Sequence, residues 1–133
     1  MIATPVRNVA EIEPAVARIA HQPNGGLLAL NDAFLSAHHK VLLQAAALYR
    51  VPAISAYSGF VRQGGLMSYH PELTDQFRQA GVYADRILKG TKPGDLPVQA
   101  PTRFTLSINL KTARDLGVEV PLSILLIADE QIE

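Results

Sequence analysis

Short apolar runs alternate along the chain with longer stretches in which apolar residues recur every three or four positions. "LLAL", Leu27 to Leu30, is apolar throughout, as in a strand buried on both faces. "VPAIS" and "LMS" have the same brevity, and "MIATPV" reads as a weak first strand. "RFTLSIN" alternates instead, with Phe104, Leu106 and Ile108 on one face, which predicts a half-exposed edge strand. Helical spacing fills the intervals. Asn8 and Glu11 stand at capping-box distance ahead of Val9, Ile12, Val16 and Ile19, with Pro14 leaving the helix start undefined. Phe34, His38, Val41, Leu42, Ala45, Leu48 and Tyr49 mark a helix from about Ala33 to Tyr49. From Pro71, the series Leu73, Phe77, Ala80, Ala84, Ile87 predicts an amphipathic helix with proline in its first turn and Gly90 as its stop. "LKTARDLG" and a segment after Pro121 predict two short closing helices.

Alternating β and α elements predict an α/β fold, a doubly wound and mostly parallel sheet in three αβα layers. With 133 residues, 48% of them hydrophobic, the chain suits one domain. Its expected parts are a βα core over 1–95, a crossover linker and edge strand over 96–109, and C-terminal helices over 110–133. Charge changes the picture by exclusion. Twelve basic residues balance twelve acidic ones without a basic run, so neither a nucleic acid nor an anionic membrane surface is the expected partner. No apolar run approaches the roughly 20 residues that span a bilayer, so direct membrane insertion is not expected. "MIATPVRNVAEIEP" lacks the apolar core of a signal peptide. The absence of cysteine removes disulfides, thiolate nucleophiles and cysteine zinc sites.

In open α/β sheets ligands bind beyond the carboxyl ends of the strands. That rule selects Asn31 and Asp32 after "LLAL", Tyr57 and Ser58 after "VPAIS", and Ser68 and Tyr69 after "GLM", three corners expected to converge. Asp32 suits a ligand ammonium, yet an Asp just before a helix is also an ordinary N-cap. Tyr69 can stack on a solute or simply bridge core and solvent. Gly64 and Gly65 read as a turn, since no phosphate-loop pattern surrounds them. The pair His38 and His39 has no metal-binding spacing and reads as one core-leaning and one solvated histidine. "AYSGF" is not a nucleophile elbow, so no catalytic residue, metal or cofactor is expected.

Read as wording, "GGLLALNDAF", "GGLMSY", "DQFRQAGVYADRILKGTKPGDLPVQAPTRFTLSINLKTARDLGVEVP" and "ADEQIE" closely resemble the C-terminal part of ABC transporter substrate-binding proteins, in the group related to tryptophan- and other amino-acid-binding lipoproteins. The resemblance spans essentially the whole chain. It implies two lobes of the type I periplasmic-binding fold closing on a small solute that passes to an ABC permease, outside the cytoplasm and without catalysis. It also implies relatives more than twice this length, so the chain resembles a truncated second lobe whose central opening strand lies before Met1. An unfilled gap of that kind exposes a row of unpaired backbone groups, which predicts a homo-oligomer that repairs the sheet. Asn31, Asp32, Tyr57, Ser58, Ser68 and Tyr69 would form the second lobe's half of the solute site. Two of these surroundings depart from the family wording: Asn31 replaces its usual proline and His70 its usual glycine. The closing helices would normally meet the first lobe, which leaves Leu122, Leu125, Leu126 and Ile127 as expected contact surface. The competing expectation is a fragment that binds no solute and acts as an oligomerising scaffold.

Overall fold

A computed structural model describes residues 2–133. Its five strands form one sheet in sequence order: β1 (Leu27–Ala29), β2 (Ala53–Ser55), β3 (Met67–Pro71), β4 (Phe104–Asn109) and β5 (Glu130–Ile132). β1 with β2, β2 with β3 and β4 with β5 are parallel, while β3 and β4 pair antiparallel. The helices are α1 (Ile12–Ala20), α2 (Ala33–Leu48), α3 (Leu73–Leu88), α4 (Leu110–Leu116) and α5 (Leu122–Ile127). This is the mixed α/β, mostly parallel architecture that the β/α alternation predicts.

The core lies where α1 and α2 meet the β1–β2 end of the sheet. Ile12 and Val16 of α1 and Leu42, Leu43, Ala45 and Ala46 of α2 pack with Ala29, Val51, Ala53 and Phe60. Alanines at 29, 45, 46 and 53 keep the helix close to the strands, and Phe60, 1% exposed, fills the remaining space. Burying a ring of that size contributes about 1.5–3 kcal/mol. The adjacent turn is shaped by it: Gly64 has a left-handed φ of 101°, and a Cβ on Gly65 would stand 2.2 Å from the Phe60 ring. The two glycines of the "GG" pair thus serve different needs, one of backbone conformation and one of space.

Four expectations are corrected. Residues 2–6 of "MIATPV" form no strand, and Met1 lies outside the described residues. Among the described residues no strand lies beyond β1 to pair with this segment, Pro5 has no N–H to give, and Val6 packs against the core instead. β4 is not an edge strand, because "EQI" forms β5 along its far side, with Ser107 opposite Glu130. An ion pair between Arg62 and Glu130 helps hold that last strand. Pro71 does not open α3: it ends β3, and Glu72 caps the helix by accepting the Thr74 N–H at 3.2 Å. Tyr69 consequently sits within β3, opposite Leu106, and not at a strand-to-helix corner.

β2 pairs with β3 only at Met67 and Ser68, whereas β4 follows β3 all the way to Pro71. The last residues of β3 therefore extend past β2 as part of a ribbon with β4, from which α3 departs. None of the sixteen residues of α3 is buried. Leu122, Leu126 and Ile127 of α5 are also exposed, as expected for that segment, while Leu125 is half-buried.

Candidate functional site

The carboxyl ends of β1 and β2 meet the start of α2. Asp32 is extended (φ −126°, ψ 167°) and its Oδ1 accepts the Leu35 N–H at 2.8 Å, which satisfies one of the free donors at the helix N-terminus. Asp32, Ser36 and His39 then follow at i, i+4 and i+7, a spacing that sets them on one side of the helix. Ser36 Oγ donates to Asn31 Oδ1 at 3.0 Å, so Asn31 is tied to the first turn of α2.

His39 is the hub of this corner. Its Nδ1 lies 2.6 Å from the Ser36 carbonyl and its Nε2 lies 2.5 Å from Gln63 Oε1. Its ring centroid is 5.1 Å from that of Tyr57, tilted by 40°. The helix makes room for this by breaking its own regularity at His38, whose φ of −114° and ψ of 17° are non-helical. The imidazole thereby connects α2 to the loop after β2, through Tyr57, and to the turn before β3, through Gln63. Asn31, Ser36, His39, Ser55, Tyr57 and Phe60 line one shallow depression above the strand ends. The depression holds only about 10 Å³, the room of a single water, and Ala29, Leu30, Leu35 and Leu42 complete its lining, so the polar groups of this corner act at its surface, with the Asp32 carboxylate next to Asn31 in the chain.

The six residues selected by the strand-end rule are thus divided. Asn31, Asp32 and Tyr57 gather at this corner, with Ser58 exposed on the same loop. Ser68 is 0% exposed, inside the sheet between Ser55 and Ser107, and its hydroxyl has no hydrogen-bond partner. It presents no group to the depression. Tyr69, the next residue, points to the opposite face, where its ring stacks on Phe104. The third corner fails to join because β3 runs on through Pro71.

Sequence reasoning missed Ser36, His39 and Gln63. The i, i+4, i+7 spacing from Asp32 was readable, but the kink at His38 that turns His39 toward Tyr57 has no sequence signature. Among the described residues, no three His, Asp or Glu side chains gather as metal ligands, and no helix is long and apolar enough to cross a membrane.

The profile of the family described as ABC transporter substrate binding protein matches residues 1–132. The chain belongs to that family. An uncharacterized protein of Rickettsia prowazekii (strain Madrid E) is 29% identical over 114 residues, covering 84% of this chain and 38% of that protein. Among solved structures, a conserved domain protein from Vibrio cholerae superposes with a TM-score of 0.80 at 27% identity, over 92% of this chain and 41% of the other. An ABC domain in complex with L-Trp from Streptococcus pneumonia superposes with a TM-score of 0.81 at 25% identity, over 96% and 43%. The fold is that of periplasmic-binding-protein-like domains. This substrate-binding-family chain spans about two-fifths of the length of the relatives it matches.

Proposed function

We propose that this chain is the C-terminal lobe of an ABC transporter solute-binding protein, supplying one wall of a site for a small solute of the amino-acid class. The observation that carries the reading is the convergence of Asn31, Ser36, His39 and Tyr57 on the Asp32-capped start of α2, at the strand ends where α/β sheets take ligands. The tryptophan-bound relative supports the solute class. Asp32 meets the solute ammonium, Tyr57 stacks on its apolar part, and Asn31 and His39 set its polar end. Ser58 lies at the rim, and Tyr69, on the opposite face of the β3–β4 ribbon, touches the solute only if the solute extends beyond this corner. No bond is made or broken. The proposed setting is extracytoplasmic, with an ABC permease as recipient.

One wall buries only part of a ligand, so affinity for this chain alone is expected in the micromolar to millimolar range, on the order of −8 to −4 kcal/mol. Calorimetric titration with a panel of amino acids tests the reading. Saturable heat that disappears in Tyr57→Ala and in His39→Ala supports it, and a flat trace across the panel at millimolar solute rejects it.

A second reading is a self-associating module that binds no solute. It is favoured by one observation: α3, amphipathic in sequence, buries none of its residues.

A further inference from the structure

We propose that Gln63 is a specificity-setting residue of this corner, its side-chain amide turning over with the protonation state of His39 to present either N–H donors or a carbonyl oxygen to the solute. The inference deepens the solute-wall reading and rests on it for its use. What the His39 ring can donate decides the contact. Nδ1 lies 2.6 Å from the Ser36 carbonyl, a group that only accepts, so Nδ1 carries a proton in either charge state. Nε2 lies 2.5 Å from the end of the Gln63 side chain. In the neutral ring Nε2 has a lone pair and needs the amide NH2, whereas in the imidazolium it has a proton and needs the amide oxygen. With Oε1 facing Nε2, the pair stands in the arrangement of the charged ring. A half-turn about the last side-chain bond exchanges the two amide ends, so one proton on His39 decides which end points away from it.

Among the described residues the Gln63 amide has no other hydrogen-bond partner, and the residue is exposed. When His39 is charged, the outward end offers N–H donors next to a positive charge, which suits a solute carboxylate. When His39 is neutral, the outward end is a carbonyl oxygen, which suits an ammonium. The ring itself is held by its Ser36 bond and by Tyr57, whose centroid is 5.1 Å away. The other titratable or charged groups on the elements that meet it are Asp32, His38 and Lys40 on α2, Tyr57 after β2, and Arg62 beside Gln63. Of these, the His38 ring lies against Phe34, and the Arg62 guanidinium is paired with Glu130. Apart from His39 and Tyr57, no residue lining the depression is titratable. Ser36, His39 and Gln63 suffice for the coupling, so it does not depend on which part of the longer relatives lies over this corner.

Side-chain NMR of the solute-free chain over about pH 5 to 8, the interval in which histidines ordinarily change charge, is the first test. The neutral His39 ring is expected as the Nδ1–H tautomer, and the Gln63 NH2 signals are expected to move with the same midpoint as the His39 ring. A neutral ring protonated on Nε2, or Gln63 signals that ignore the His39 titration, overturns the inference. Calorimetry with L-phenylalanine and with phenethylamine, which keeps the ammonium and lacks the carboxylate, reads the consequence. L-phenylalanine is expected to bind about 2- to 5-fold more tightly at about pH 5.5 than at about pH 8, and phenethylamine to change in the opposite sense. Gln63→Met, at an exposed position, is expected to melt as the wild type does and to lose most of both changes. Changes of full size in that variant would assign them to the ring charge alone and overturn the role of the amide. A flat trace with both compounds at millimolar concentration and at either pH rejects the solute-wall reading and the specificity role with it, whereas the NMR coupling, measured without solute, stands or falls by itself.

Discussion

The rings of Tyr69 and Phe104 stack across the β3–β4 ribbon, their centroids 5.1 Å apart and their planes within 12°. Tyr69 pairs with Leu106 and Phe104 with Pro71, so the contact is diagonal, the reach at which aromatic side chains still meet. Both rings are about half exposed, at 52% and 43%, which leaves solvent on one side of each. A double-mutant cycle with Tyr69→Ala and Phe104→Ala, read by urea unfolding, is expected to give a coupling of about 0.5–1 kcal/mol. The same pair tests Tyr69 as a solute contact. A loss of solute affinity in Tyr69→Ala that exceeds the loss in Phe104→Ala assigns Tyr69 to the solute, and equal losses confine it to the ribbon.

Gly65 is held by space and not by backbone strain. An added Cβ would lie 2.2 Å from Cδ1 and 2.4 Å from Cε1 of Phe60, a ring 1% exposed and enclosed by the core. Since the ring has nowhere to move, Gly65→Ala is expected to cost about 1–3 kcal/mol by overpacking, measurable as a lower denaturation midpoint at unchanged m-value. Replacing Phe60 by Leu in the same chain is expected to recover part of that loss. Failure of the double variant to recover any would place the clash elsewhere.

Tyr49 at the end of α2 reaches across to α1, its hydroxyl donating to Glu13 Oε1 at 3.1 Å. The hydrogen bond to Glu13 and, to a lesser degree, desolvation and the nearby carboxylate raise the phenol above its ordinary value of 10.0. Because the folded chain holds this proton more tightly than the unfolded chain, the contribution is complete below pH 10 and is lost as pH rises through the folded value. Comparison of wild type with Tyr49→Phe should therefore show a stability difference that is constant through neutral pH and declines above about pH 10. A difference that does not change with alkaline pH would remove the Glu13 bond as its source.

The parts of the fold legible in the sequence are those set by local pattern. α2 begins and ends where its apolar spacing and Asp32 predict, and α3, Leu73–Leu88, contains the whole series from Leu73 to Ile87. The misread elements depend on which strand lies beside which. "RFTLSIN" alternates like an edge strand, but its neighbour is three residues of "ADEQIE" that carry little strand signal of their own. "MIATPV" has enough apolar residues for a strand, but among the described residues no strand stands free to pair with 2–6. The candidate site divides in the same way. Asn31, Asp32 and Tyr57 follow from strand ends, which local pattern locates. Ser68 and Tyr69 were placed one element too early, because β3 is lengthened by its pairing with β4. His39 enters only through a kink, a tertiary feature.

Asp32 separates helix capping from solute recognition by a single atom exchange. Its Oδ1 accepts the Leu35 N–H at 2.8 Å in the geometry of an N-cap. Asn caps a helix about as well as Asp, while Ala loses about 0.5–2 kcal/mol. Asp32→Asn is therefore expected to melt like the wild type and Asp32→Ala several degrees lower. Solute binding responds differently, because only the carboxylate offers a charge-assisted bond to a ligand ammonium. Such bonds contribute about 1.5–3 kcal/mol, so Asp32→Asn is expected to weaken binding of an amino acid roughly 10- to 100-fold with no loss of stability. An amide variant that binds as tightly as the wild type would reduce Asp32 to a cap, and the ammonium would then have to be met from outside this chain, by the wall that closes over it.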